Sequence, residues 1–274
     1  MRIALGIEYQ GSPFCGWERQ RHCETVQSVL ERALAVVANA PVATTCAGRT
    51  DSGVHALSQV AHFDTEAQRP DHAWVFGANA NLPREVSVLW AQEIAPNFHA
   101  RFSAFARRYT YFLLNKRSRP AVLDRRVTWE RRPLDVDAMS QAADALVGLH
   151  DFSAYRASRC QSKSPIRRVH SLTIARHGDL IRVDILANAF LHHMVRNVVG
   201  VLVSIGIGEH DPSWAGDVLA SRDRGQGGVT APPDGLYLIG VKYPPEFSLL
   251  SDPIEDSEDE VCPLPGLWYS QPLA

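Results

Sequence analysis

The run Val42-Ala43-Thr44-Thr45-Cys46, Ala47-Gly48-Arg49-Thr50-Asp51-Ser52-Gly53-Val54-His55-Ala56, Leu57-Ser58-Gln59-Val60-Ala61-His62-Phe63 reads as two short strands joined by a polar loop. Its flanks are apolar enough to pair in a sheet, whereas the loop carries a cation, two hydroxyls, a carboxylate and two glycines. Working outward, Arg2–Tyr9 alternates with period two and predicts a strand. Val26, Val29, Leu30, Ala33, Val36 and Val37 fall at helical spacing, with Thr25 as N-cap and Pro41 beyond the end. A second helix begins near Pro70 and stops around Asn79–Pro83, and Val86–Glu93 is a further strand. The order of this first half is β-α-β-β-α-β.

The second half follows a similar plan. Arg107–Leu114 is a strand with alternating Tyr109, Tyr111 and Leu113, and Asp135 caps a helix bearing Met139, Ala142, Leu146 and Leu149. Val169–Ala175 and Leu180–Leu186 form a hairpin around His177-Gly178-Asp179. A long helix is expected from about His192 to Ile207, a shorter one near Trp214–Ala220, and a closing strand at Leu236–Tyr243. The fold expected is therefore α+β, with two ferredoxin-like halves, mainly antiparallel sheets and a central catalytic cleft. Its boundaries are an N-terminal half over 1–104, a C-terminal half over 105–247, and an acidic extended or disordered tail over 248–274.

No apolar stretch approaches the length needed to span a bilayer, and Met1–Tyr9 reads as a strand rather than a signal peptide, so a cytoplasmic protein with no membrane association is expected. The five cysteines are odd in number and lack CxxC spacing, which argues against a disulfide framework and a structural zinc site. His192 and His193, taken as helical neighbours, point about 100° apart and cannot share an ion unaided. The net charge of -2 hides an uneven distribution. Residues 248–274 hold six acids and no Lys or Arg, leaving 28 basic against 24 acidic side chains in the first 247. Arg101–Arg132 holds ten basic residues and two acids, interleaved with Phe102, Phe105, Tyr109, Tyr111, Phe112 and Trp129. Phe152–Ala175 adds five basic residues and no acid. Cations mixed with aromatics suit a nucleic acid, binding its phosphates and stacking on its bases.

The chemistry centres on the polar loop. Gly48 and Gly53 permit close backbone approach, and Arg49 favours the ionised form of Asp51, making it a candidate nucleophile or base. P-loop, GxGxxG, HExxH and GxSxG signatures are all missing, so no cofactor and no metal are expected. Arg196, in an apolar helix face, requires an anion if it is buried.

Gly48-Arg49-Thr50-Asp51-Ser52-Gly53-Val54-His55-Ala56 closely resembles the catalytic motif of the tRNA pseudouridine synthase A family. Gly16-Trp17, Asn79-Ala80-Asn81-Leu82-Pro83, Phe98-His99-Ala100-Arg101-Phe102-Ser103-Ala104 and Arg107-Arg108-Tyr109-Thr110-Tyr111 match in order. So do Asp151-Phe152, Asn188 through Asn197 and Gly235-Leu236-Tyr237-Leu238, so the resemblance spans roughly residues 2 to 243. It implies isomerisation of uridine to pseudouridine at standard tRNA positions 38, 39 and 40 in the anticodon arm, by a homodimer. Asp51 matches the essential aspartate and Tyr109 the active-site tyrosine packed on the uracil. The resemblance makes Arg196 the partner that keeps Asp51 ionised. Arg49 takes the place of the flipped base or holds a flanking phosphate. Thr50, His55, Gln59, Arg107 and Arg108 are further expected RNA contacts, and Leu236 with Tyr237 walls the pocket. Asp-Ser-Gly is equally the signature of aspartic proteases, which need two aspartates sharing a proton; the chain has one such tripeptide, and a homodimer could supply the second. A non-catalytic RNA-binding protein is the third reading, and it leaves Asp51 and Arg196 without a purpose.

Overall fold

The structure, a computed structural model, describes residues 1–158 and 160–250. The expected acidic tail lies outside them from residue 251 onward. The chain divides into two compact units, one built from Met1–Arg107 and the segment beginning at Tyr237, the other from Arg108–Leu236.

The first unit contains β1 (Arg2–Tyr9), α1 (Val26–Ala38), β2 (Thr45–Cys46), β3 (His55–Asp64), α2 (Asp71–Asn79) and β4 (Val86–Ile94). β1 lies between β3 and β4, antiparallel to both, and β2 pairs antiparallel with β3 at Thr45↔His62 and Cys46↔Ala61. The resulting order β4-β1-β3-β2 is that of a ferredoxin-like sheet, as expected. Helix α1 forms where the periodicity places it, burying Val26, Val29, Leu30, Ala33 and Leu34, although Val36, counted in that spacing, is exposed. Thr25 accepts from the Ser28 amide while Ser28 answers to the Thr25 amide, a closed capping box.

The second unit contains β5 (Ala106–Asn115), β6 (Thr128–Glu130), α3 (Val136–Asp144), β7 (Gly148–Asp151), β8 (Ile166–His177), β9 (Leu180–Ala187), α4 (Met194–Gly206) and α5 (Trp214–Ser221). Its strands run β5-β9-β8-β7, with β6 parallel to β5, so β5, β9 and β8 repeat the 1-3-2 part of the first sheet's order. Asp135 caps α3 through the Ala138 amide as expected, and Met139, Ala142 and Ala143 are buried.

Three features differ from the sequence reading. The closing strand β10 (Leu236–Lys242), expected in the second half, pairs parallel with β3 at Tyr237↔His55 and Leu238↔Ala56. Leu149, expected on the buried face of α3, lies exposed on β7: Gly148, at φ +117°, ends the turn and starts a strand. Cys15 and Cys23 are joined by a disulfide across eight positions, while Cys46 and Cys160 are free. A single local bridge escapes arguments from cysteine parity, which address multi-bridge frameworks. No helix among the described residues is long and apolar enough to cross a membrane.

Candidate active site

The Asp51 loop leaves β2 and enters β3, and its shape is fixed largely by side chains from outside it. Gln59, wholly buried on β3, donates to the Gly48 carbonyl (2.7 Å) and accepts from the Gly48 amide (3.3 Å). Its amide also reaches the Tyr9 hydroxyl, which bonds the Thr50 hydroxyl at 2.8 Å. Thr50 presents its carbonyl to the Trp17 amide at 3.0 Å. His55 is buried, accepts from the Gly11 amide through Nδ1, and stacks on the Tyr237 ring at 4.5 Å. The three residues expected as RNA contacts at this end, Thr50, His55 and Gln59, are thus buried among the loop's own supports. Arg107, also expected to touch RNA, is 8% exposed and donates to the carbonyls of Ala47 (3.1 Å), Arg101 (2.6 Å) and Ala104 (2.9 Å). A buried guanidinium gathering three carbonyls is a structural clasp on the start of the loop.

Two glycine positions show why the motif tolerates little change. Gly53 has φ +83°, the left-handed geometry that returns the chain so that the Val54 amide reaches the Asp51 carbonyl at 3.1 Å. At Gly11 a Cβ would stand 1.9 Å from the Val54 carbonyl oxygen. Within this frame Asp51 is half-buried and Arg49 and Ser52 are exposed. Arg49 pairs with Glu18 at 2.6 Å.

The second unit holds the other expected catalytic residues. Tyr109, on β5, is buried and packs edge-on against Phe190 at 5.0 Å. Arg196, in the first turn of α4, is half-buried, and its Nε donates to the Ala231 carbonyl at 2.8 Å. The Ala231 amide returns a bond to the Arg196 carbonyl at 3.0 Å. Neighbouring Asn197 donates to the Tyr155 carbonyl and receives bonds from the Thr230 hydroxyl (2.7 Å) and Arg224 (3.1 Å). Arg224 also reaches the Gly228 carbonyl, so the segment 228–231 is sewn onto α4. Gly200 lets it approach: a Cβ there would stand 1.8 Å from the Val229 carbonyl oxygen.

His192 and His193 precede α4 rather than lying within it; their rings are 4.0 Å apart, His192 exposed and His193 half-buried at φ +61°. The helical spacing used to separate them therefore does not apply. Arg108 is half-buried on β5, and Leu236 is buried at the start of β10. Sequence reasoning missed Glu18, Tyr9, Arg224 and Thr230; Glu18 and Arg224 lie within polar runs, and nothing in the local pattern tells which distant groups any of the four will bond.

Comparison with known proteins places this architecture. A family model described as tRNA pseudouridine synthase matches residues 6–103 and 142–244. The chain is 58% identical over 254 residues to a tRNA pseudouridine synthase A of Methylococcus capsulatus, covering 93% of this chain and 94% of that protein. It is 59% identical to the protein of that name from Nitrosococcus oceani, over 93% and 99% of the two chains. The corresponding Pseudomonas aeruginosa protein is 57% identical over 90% of this chain and 87% of its own. The extent of these matches, with the Asp51 loop inside the matched segments, shows that the chain belongs to the tRNA pseudouridine synthase A family.

Proposed function

We propose that the protein isomerises uridine to pseudouridine in tRNA, acting on the anticodon arm at positions 38, 39 and 40. The observation that carries this reading is the Asp51 loop itself. A web of buried residues from β1, β3 and β5 fixes its backbone yet leaves Arg49 and Ser52 at the surface and Asp51 half-exposed. A loop so held sets the Asp51 carboxylate in a fixed, half-exposed position.

The reaction breaks N1–C1′, turns the uracil and forms C5–C1′; the proton leaving C5 is balanced by one gained at N1, so no redox or transferred group is involved. A stacked base is out of reach of any side chain and must first be flipped. Asp51 then acts on the sugar or the base, and Tyr109, held edge-on by Phe190, faces the uracil. Arg196 is assigned as the cation that pairs with Asp51, an assignment that follows the family likeness. Arg49 takes a phosphate or the vacated place of the base. Substrate binding by a homodimer, also implied by the likeness, belongs to this reading. The aspartic protease alternative has no support from a fold of two α+β units. Release of tritium from C5-labelled uridine in unmodified tRNA transcripts tests the proposal. Transcripts with cytidine at 38, 39 or 40 should each lose the share of release due to that position. Release unaffected by all three replacements would exclude the proposed sites.

A further inference from the structure

Residues 15–23 form a ring closed by the Cys15–Cys23 disulfide, the two Cα atoms 6.2 Å apart. One side of this ring is built against the Asp51 loop. The Trp17 amide donates to the Thr50 carbonyl at 3.0 Å, and the Ser52 hydroxyl donates to the Phe14 carbonyl at 3.2 Å. Contact is close enough that a Cβ at Gly16, where φ is +87°, would lie 2.7 Å from the Thr50 carbonyl oxygen and 3.0 Å from the Asp51 carbonyl carbon. The other side is open: Glu18 through His22 are exposed, and both cysteines are half-exposed. Glu18 sits inside the ring's span and holds Arg49 by Nε–Oε2 (2.6 Å) and Nη2–Oε1 (3.2 Å). The other cysteine near the loop, Cys46, is buried, and burial pushes its thiol up to about 12, which removes it as a competing nucleophile.

We infer that Cys15 and Cys23 are a reversible thiol–disulfide site whose closure fixes Glu18 on Arg49 and so weakens the hold on RNA. The inference rests on Arg49 being an RNA contact. A closed ring leaves Glu18 fewer conformations in which to swing clear, while the anionic phosphate has to displace an anion already in place. Oxidation uses a small-molecule disulfide. One cysteine thiolate attacks it and expels a thiolate, leaving a mixed disulfide. The second cysteine then attacks the protein sulfur of that bond and expels the other thiolate. Two electrons pass to the small molecule, and the two protons lost by the cysteines end on its two thiols. A dithiol reverses both steps.

The full chain, treated with oxidised glutathione or with dithiothreitol, is alkylated, digested with trypsin and weighed. Because Arg19 and Arg21 lie between the cysteines, the bridge joins two separate tryptic peptides. In parallel, Kd for an unmodified tRNA transcript is measured at fixed salt. The expected result is the joined peptide pair after oxidation only, with Kd about two- to fivefold weaker than in the reduced protein, the range for one exposed ion pair. Glu18→Gln should bind equally in both states, and Cys23→Ser should keep the tighter Kd under either treatment. Alkylation of both cysteines after oxidised glutathione overturns the inference, as does an equal Kd in bridged and reduced wild-type protein. Tritium release read on the same samples bears on the proposed reaction alone, so failure of that reading is distinguishable.

Discussion

Arg107 shows how a residue can carry the family's motif and yet do its work inside the protein. Its guanidinium is buried and spends its donors on the carbonyls of Ala47, Arg101 and Ala104. Arg107→Met leaves those acceptors without a donor and should cost about 3 kcal/mol, seen as a lower urea midpoint at unchanged m value. His62 makes a second case. Burial, aided by the Arg2 guanidinium, pushes its pKa down from 6.5 to about 4, and its Nδ1 accepts from the Ala100 amide at 3.1 Å. The unfolded chain therefore binds a proton that the native fold refuses. Stability should be full above about pH 6.5 and fall as the pH drops toward 4. His62→Gln should flatten that limb in urea titrations across the window. From sequence, the family resemblance makes Arg107 an RNA contact; its burial is set by the Ala47, Arg101 and Ala104 carbonyls, which a motif match does not register.

Among the elements, those with a strong local signal were legible. The apolar spacing and Thr25 cap of α1, the Asp135 cap of α3, and the span of α4 emerge nearly as expected. The misses at β2 and β10 share a cause, since each is decided by a partner distant in sequence, whereas the Leu149 turn and the Cys15–Cys23 bridge are local. β2 keeps only Thr45 and Cys46 because β3 offers it two pairing positions, and β10 aligns with β3 at Tyr237↔His55, far apart along the chain. The site follows the same rule. Asp51 and its glycines are legible in one short run, whereas the segment 228–231 that holds Arg196 is invisible until Asn197, Arg224 and Thr230 meet. Gly200→Ala tests that element directly, because its Cβ collides with the Val229 carbonyl. It should cost about 1–3 kcal/mol in thermal or urea unfolding and lower kcat by displacing Ala231, the acceptor of Arg196.

At the scale of the whole molecule, a net charge of -2 conceals basic stretches suited to a polyanion, since residues 248–274 carry six acids and no Lys or Arg while Arg101–Arg132 holds ten basic residues against two acids. Affinity for tRNA should therefore fall linearly on a plot of log Kd against log salt, with each lost phosphate contact lowering the slope by a little under one. Arg49→Ala should reduce that slope, whereas a charge-neutral change in the core should leave it untouched. Two α+β units with this charge pattern suit a tRNA substrate, and the proposed mechanism gives the isomerisation to Asp51. Tritium release from C5-labelled tRNA by Asp51→Asn, with Kd measured on the same preparation, tests that claim most directly. Turnover should vanish while the fold and the affinity for tRNA persist; substantial turnover by the folded variant would contradict the role proposed for Asp51.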